Sequence, residues 1–248
     1  MPTPRCWPRW QRRLPRVEPT PRSPLGIFIT GTDTGVGKSL VSAALLHALA
    51  RHYSKVVGMK PVAAGTAMVH GVLANDDVLA LRAASTVTVP PELDNPVLLH
   101  EPVSPHIAAA HAGVTINVAH IAACYHALAA LADAVVVEGA GGFMVPLSPQ
   151  ETGADLAAAL GLPVVLVVGL RLGCLNHALL TAQAVRARGL TLVGWVANHV
   201  DRDMLAQSEN IAYLVQQLDT PLLATIPFLA DTDPRQVVMQ LPTGWTTP

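Results

Sequence analysis

The amino-acid sequence predicts an α/β fold in which a parallel sheet has helices on both faces. Apolar runs of strand length alternate with helical stretches from residue 26 to residue 226, an order typical of such sheets. Of the 248 residues, 51% are hydrophobic and 13% are charged, where about 25% charged is usual. This composition supplies a large core and excludes a chain that is disordered throughout.

Six runs of aliphatic and β-branched residues are predicted to be strands, because strands buried on both faces are apolar along their whole length. The longest strongly apolar run, residues 162–170, contains a proline and is far shorter than the roughly 20 residues of a membrane-spanning helix. We therefore assign this run to the sheet and expect no membrane contact. The predicted strands are residues 26–30, 55–60, 134–138, 163–168, 190–198 and 221–226.

Seven stretches between these runs have helical patterning. One of them is closed by Gly189, a residue type common after the last turn of a helix. A loop rich in glycine and alanine is expected before the second helix, and the prolines of residues 86–104 predict a long irregular connection. The C-terminal residues show no clear pattern. The predicted helices are residues 37–52, 76–84, 105–111, 117–131, 152–160, 176–188 and 204–218.

Residues 1–25 differ from the rest in holding seven prolines, six arginines and a single acidic residue. Prolines at this density prevent an amphipathic helix. We predict a disordered Pro/Arg-rich extension, or a start codon placed too far upstream, with a functional arm as the alternative. Residues 26–248 are predicted to be a single domain. That domain has 16 − 6 = 10 basic and 17 − 1 = 16 acidic residues, and its net charge of −6 disfavours nucleic-acid binding.

The cysteines indicate a reducing environment. There are three, Cys6, Cys124 and Cys174, without close spacing. An odd number at such distances argues against a disulfide framework and against a zinc cluster. We therefore expect a cytoplasmic protein.

A glycine-rich segment, residues 31–39, follows the first predicted strand and opens the first helix. Its backbone N–H groups and the helix N-terminus favour phosphate anions. Lys38 is expected to neutralise phosphate oxygens and Ser39 to bind Mg²⁺. The spacing departs from the usual motif, since Gly31 lies one residue further out and Thr32 holds the expected glycine position. The segment predicts a P-loop NTPase-like sheet, with a plain glycine-rich turn as the alternative.

Charged residues stand near the carboxyl ends of the next strands, the edge at which parallel sheets bind ligands. Lys60 ends the second strand and is expected to contact a transferring phosphoryl group, with a snorkelling surface lysine as the alternative. Asp77 opens a helix as a metal ligand or an ordinary helix cap. Glu138 ends the third strand, where a carboxylate is costly unless it is paired or bound to metal. Asn198 is expected either to bind an adenine edge or to cap a turn.

Short segments distributed over residues 26–229 resemble the dethiobiotin synthetase family. Each is short, but their order and number make chance agreement improbable. The matching segments are residues 30–34, 36–39, 60–63, 104–106, 137–142, 146–147, 172–178, 194–198 and 226–229.

The resemblance implies an ATP- and Mg²⁺-dependent enzyme of biotin synthesis. In that reaction 7,8-diaminononanoate takes up CO₂ (from bicarbonate) as a carbamate, which attacks the γ-phosphate of ATP. The second amine then closes the mixed anhydride to the cyclic urea of dethiobiotin. ADP and phosphate are released. The resemblance also implies a homodimer.

The resemblance further implies roles for individual residues. Lys60 is the catalytic lysine, assisted by Lys38, and the metal ligands are Ser39, Asp77 and Glu138. Ala64 faces the substrate, and Cys174 and Asn176 reach its carboxylate tail across the dimer interface. Besides the residues already named, the nucleotide site comprises Thr34, Gly35, Val36, Gly37, Leu40, Gly139, Ala140, Gly141, Asn198, His199, Pro227, Phe228 and Leu229.

Two positions depart from the family pattern. Gly35 stands where some members have Glu, and Ala64 stands where many have Ser. We expect these changes to lower affinity without abolishing activity, since each removes one polar contact and leaves the core charges intact.

Two other classes of protein agree less well with the sequence. An amidotransferase synthetase acting on corrin diacids usually carries a glutaminase domain, for which this chain is too short. An ATP-driven switch that binds membrane or DNA would carry a second lysine where Asp33 stands.

Overall fold

A computed structural model describes residues 24–69, 71–228 and 232–246, so the predicted extension falls almost wholly outside the described residues. The strands are β1 (Leu25–Gly31), β2 (Val56–Met59), β3 (Val62–Ala64), β4 (Ala67–Val69), β5 (Val72–Ala74), β6 (Val97–Leu99), β7 (Ala134–Gly142), β8 (Val164–Leu170), β9 (Leu192–His199) and β10 (Leu222–Ile226). The helices are α1 (Lys38–Leu49), α2 (Asp76–Ala84), α3 (Pro91–Asp94), α4 (Pro105–Ala112), α5 (Val118–Ala129), α6 (Gly153–Leu160), α7 (Cys174–Ala187) and α8 (Gln207–Gln217).

The predicted parallel sheet is confirmed. Six strands lie in the order β10-β9-β8-β1-β7-β2, and every neighbouring pair is parallel. β1 is central and lies between β7 and β8. The segment that follows β1 therefore begins between the carboxyl ends of those two strands. Ile29 of β1 pairs with Glu138 of β7, which brings the predicted acid beside the start of that segment.

Both faces of the sheet are buried, as the apolar strands predict. Successive residues of β1 point to opposite sides. Ile27 and Ile29 pack under α1 and α2, whereas Phe28 packs in the core beneath α5 to α8. All seven residues of β8 are buried.

Several predicted irregular regions contain structure. The glycine- and alanine-rich loop includes β3 and the β4–β5 hairpin, and residues 86–104 include α3 and β6. β3 pairs with β6 over three residues, so neither strand is long enough to show a pattern of its own. The third predicted strand does not end at residue 138, because β7 continues through the glycines to Gly142 beside β1.

The C-terminal residues show no clear pattern in the sequence, but the described ones, up to residue 246, contact the sheet again. A 3₁₀ turn spans Pro234–Gln236, the Gln240 N–H donates to the Leu223 carbonyl (2.8 Å), and Trp245 is buried beside the α1 core. Among the described residues no helix is long and apolar enough to cross a membrane.

Replacing Leu46 of α1 by Ala should destabilise the fold by about 2–5 kcal/mol, because the fully buried side chain leaves a cavity. Urea unfolding measures this loss. The matched control is Leu180→Ala on α7, where the side chain is 56% exposed and a change within about 0.5 kcal/mol is expected. Equal losses at the two positions would contradict the described packing.

Asp155 in the first turn of α6 should make stability depend on pH in the acid range. Its Oδ2 accepts hydrogen bonds from the Thr152 N–H and hydroxyl (both 2.7 Å), and Arg188 pairs with Oδ1. The Thr152 hydroxyl and N–H, and then Arg188, lower the pKa of this carboxyl to about 2. Because the folded pKa is depressed, its contribution is present above the unfolded pKa and is lost as the pH falls towards 2.

Asp155→Asn should therefore cost about 1 kcal/mol at pH 7 and progressively less as the pH falls towards 2. Urea unfolding of both proteins across this range provides the measurement, with exposed Asp203→Asn as the control. A difference that stayed constant with pH would show that the carboxylate charge is not responsible.

Candidate active site

The segment between β1 and α1 is held against the ends of two other strands. The Thr32 N–H donates to the Val167 carbonyl on β8 (3.0 Å), and the Asn198 side-chain amide on β9 donates to the Val36 carbonyl (2.9 Å). A Cβ on Gly37 would lie 2.2 Å from the Asn198 nitrogen, and Gly37 has φ = 91°. Only glycine meets both conditions. The shape of this segment, the phosphate loop, therefore depends on contacts across the sheet.

Lys38 is buried at the end of the phosphate loop, and its ammonium donates to the carbonyl of Asp33 (2.9 Å). Burial and the neighbouring Lys60 lower the pKa of Lys38 to about 8, although nearby carboxylates oppose this shift. The cation is thus tethered to the loop that it is predicted to serve.

Lys60 stands at the centre of a cluster of four side chains. Its ammonium contacts Glu138 Oε1 (2.5 Å) and Asp77 Oδ2 (2.8 Å). The Ser39 hydroxyl lies 2.6 Å from Asp77 Oδ1 and 2.9 Å from Glu138 Oε1. Four residues singled out from sequence therefore meet at one point, which we call the charge cluster.

The electrostatics of the charge cluster are set by competition between burial and pairing. Burial by itself lowers the pKa of Lys60, but Glu138 and Asp77 outweigh it and the net pKa is raised. Burial by itself raises the pKa of Asp77, but Lys60 and the Ser39 hydroxyl reverse this and the net pKa is lowered. Lys60 and Asp77 are therefore charged at neutral pH.

Backbone contacts that sequence reasoning missed fix the position of Lys60. Its N–H donates to the Asp94 carbonyl (2.8 Å), and the buried side chain of Asn95 donates to the Lys60 carbonyl (2.7 Å). Nothing in the sequence around Asn95 indicates this role, because the contact spans 35 residues. Asp77 is oriented by Asn75, whose side chain accepts from the N–H groups of Asp77 and Val78.

The charge cluster has one polar atom without a partner. Glu138 is fully buried, and its Oε2 has no hydrogen-bond partner among the described residues. An unpaired buried carboxylate oxygen is costly.

Among the described residues no group of three or more His, Cys, Asp or Glu side chains could hold a metal. A hydroxyl and two carboxylates suit Mg²⁺, which takes few protein ligands and completes its shell with water and phosphate. Ser39, Asp77 and Glu138 therefore fit the predicted metal.

A cavity of about 710 Å³ opens over the charge cluster. Many predicted site residues line it, together with residues not predicted to have a role, among them Val62, Ser104 and Val145. The predicted residues that line it are Thr34, Gly35, Gly37, Lys38, Ser39, Lys60, Ala64, Asp77, Glu138, Ala140 and Gly141.

Other predicted site residues do not line this cavity. Cys174 is buried and Asn176 exposed at the start of α7. Leu229 lies outside the described residues. The remaining positions are Val36 and Leu40 in or after the phosphate loop, Gly139 in β7, Asn198 and His199 at the end of β9, and Pro227 and Phe228 after β10.

Comparison with protein families gives a match to the AAA domain over residues 25–236. A glycine-rich loop between a central parallel strand and a helix, with a buried lysine and a hydroxyl at the helix start, defines a P-loop nucleotide-binding protein.

The sequence comparisons narrow this class. The ATP-dependent dethiobiotin synthetase BioD of Aromatoleum aromaticum is 52% identical over 220 residues, covering 88% of this chain and 97% of that protein. The enzyme of the same name from Ralstonia nicotianae is 55% identical over 208 residues, covering 84% and 91%. The chain belongs to the ATP-dependent dethiobiotin synthetase family, and the family predicted from its motifs is confirmed. It is accordingly an enzyme of the ATP-dependent ligase class.

Solved structures share the fold at low sequence identity. The septum site-determining protein MinD from Pyrococcus horikoshii, solved with Mg-ADP, superposes with a TM-score of 0.51 at 17% identity, covering 82% of this chain and 81% of that one. MinD from Aquifex aeolicus gives 0.52 at 15% identity, covering 83% of each chain. These likenesses support the fold alone.

Replacing Lys60 by Met should destabilise the Mg²⁺-free protein by about 3–5 kcal/mol, because two carboxylates lose their buried counter-charge. Chemical unfolding with a chelator present measures this loss. The double variant Lys60→Met/Glu138→Gln removes the fully buried one of the two unpaired charges and should recover most of the stability, since Asp77 is partly exposed to water. If the double variant is no more stable than Lys60→Met, the loss of stability comes from packing and not from the unpaired charge.

Proposed function

We propose that this chain carboxylates 7,8-diaminononanoate with CO₂ and closes the product to dethiobiotin, using ATP and Mg²⁺. The observation that carries the proposal is the charge cluster at the floor of the cavity, where Lys60 and the candidate metal ligands meet beside the phosphate loop. Family membership supports the same activity.

The chemistry begins with two anions that repel each other. One amine of the substrate takes up CO₂ and releases a proton to form a carbamate. A carbamate oxygen must then approach the γ-phosphate of ATP. Lys60 and Lys38 supply positive charge in a cleft where each is more than nine-tenths buried, and low local dielectric strengthens that attraction. These lysines are proposed to hold both anions within reach.

The group transfer then proceeds in two displacements. The carbamate oxygen forms a bond to the γ-phosphorus as the bond to ADP breaks, which gives a carbamic-phosphoric anhydride. The second amine attacks the carbonyl carbon, loses a proton, and expels inorganic phosphate as the cyclic urea forms. The chain contributes positioning and charge, the main components of catalysis in phosphoryl transfer.

The metal is proposed to be held by the Ser39 hydroxyl with the carboxylates of Asp77 and Glu138. When bound, Mg²⁺ would neutralise phosphate charge. Glu138 Oε2, which has no partner in the described part of the chain, is available for this purpose, and Lys60 remains on Oε1.

The rest of the nucleotide and substrate sites stays a proposal based on the family. The adenine is expected near Asn198, His199 and the segment that begins at Pro227. Cys174 and Asn176 are expected to reach the substrate of a partner subunit in a homodimer. We also propose a cytoplasmic location.

The full chain incubated with ATP, Mg²⁺, bicarbonate and 7,8-diaminononanoate should form dethiobiotin, detected by mass spectrometry. Lys60→Ala should lower the rate at least 100-fold, because its ammonium stabilises the developing charge. The matched control is Lys55→Ala, at an exposed lysine away from the cavity, which should retain the rate. Binding of Mg-ADP by the Lys60→Ala protein tests that it is folded.

The possible results separate an error in the assigned site from an error in the assigned substrate. ATP hydrolysis without the cyclic urea would contradict the substrate assignment while retaining the nucleotide site. Unchanged product formation by Lys60→Ala would contradict the role given to that lysine.

A further inference from the structure

Arg171 is a cation that lies outside the charge cluster and contacts the phosphate loop, as Lys38 does. Arg171 follows β8 directly, and its guanidinium forms an ion pair with Asp33 Oδ2 in the phosphate loop. The other oxygen of the same carboxylate accepts the Thr34 N–H (2.7 Å). Both oxygens of Asp33 are therefore used, and the partners lie 138 residues apart in sequence.

Asp33 is also the residue that tethers Lys38. The Lys38 ammonium donates to the Asp33 carbonyl (2.9 Å), so backbone and side chain of one residue are bonded to a lysine and an arginine. The position of Asp33 is therefore linked to that of the cation that is predicted to meet the phosphates.

Arg171 is itself held in place. Its carbonyl accepts the Cys174 N–H (3.0 Å) at the start of α7. Close by, the phosphate loop packs on the end of β8, where a Cβ on Gly169 would lie 2.8 Å from the Val36 side chain. The ion pair therefore adds a side-chain link to a contact that the backbone already makes.

The charges around the phosphate loop balance only when Arg171 is counted. Without it, two lysines face three carboxylates, and an additional carboxylate in the loop would repel a polyphosphate. The groups are Lys38, Lys60 and Arg171 on one side and Asp33, Asp77 and Glu138 on the other.

We propose that Arg171 is a positioning residue for nucleotide binding. Its guanidinium neutralises Asp33 and keeps that carboxylate turned away from bound phosphate, so that Asp33 can orient the loop and Lys38 without repelling the nucleotide. The proposal rests on the proposed use of ATP. Arg171 acts through Asp33 and does not itself contact the substrate.

The test is a double-mutant cycle read by calorimetric binding of Mg-ADP to the full chain. Arg171→Ala should weaken binding about fivefold, the size expected for loss of a half-exposed ion pair, and Arg171→Lys should restore most of it. In the Asp33→Asn background, which keeps an acceptor for the Thr34 N–H, Arg171→Ala should have no further effect. In turnover, the KM for ATP should rise while kcat and the KM for the diamine stay within twofold.

Arg188→Ala is the matched control, since it removes a guanidinium from a pair with Asp155 of similar exposure and should leave Mg-ADP binding unchanged. An equal loss from Arg171→Ala in both backgrounds would overturn the proposal, because Arg171 would then act on the nucleotide or the fold directly. A changed KM for the diamine with unchanged Mg-ADP affinity would overturn it too. Failure of the unaltered chain to bind Mg-ADP would instead contradict the proposed function.

Discussion

The ion pair between Lys60 and Glu138 is the interaction on which the rest of the site depends. Both side chains are almost completely removed from water, so neither charge is tolerable without the other. Their meeting requires β2 and β7 to be neighbours, and it brings Ser39 and Asp77 to the same point. Apolar packing stabilises the fold, whereas a set of charged side chains is concentrated at one edge of the sheet. Removing these charges from water costs free energy, but it brings reactive groups together at the site.

The phosphate loop is shaped by its surroundings as much as by its own sequence. Asn198 holds the Val36 carbonyl from β9, and Arg171 holds Asp33 from the end of β8. Thr32 stands where a glycine is expected, but its φ is not positive, so the backbone at this position does not require glycine.

The shared fold with MinD proteins illustrates why function must be argued from the site. Those proteins superpose over most of the chain at under one-fifth identity, yet the family of this chain is set by relatives that are more than half identical. At the position of Asp33 the chain carries an acid paired with an arginine. The arrangement of strands is therefore shared by proteins of different families, and the function has to be argued from the residues at the site.

The sequence by itself determined the six sheet strands, the main helices and the cluster of Ser39, Lys60, Asp77 and Glu138. Apolar runs fix which strands are buried, and the ends of parallel strands share one edge, so charged residues at those ends converge. Only the tertiary structure decided that Asn95 supports Lys60, that Arg171 pairs with Asp33, and that β3 pairs with β6. These contacts join residues far apart in sequence. They depend on the order of the strands in the sheet, which local sequence patterns do not specify.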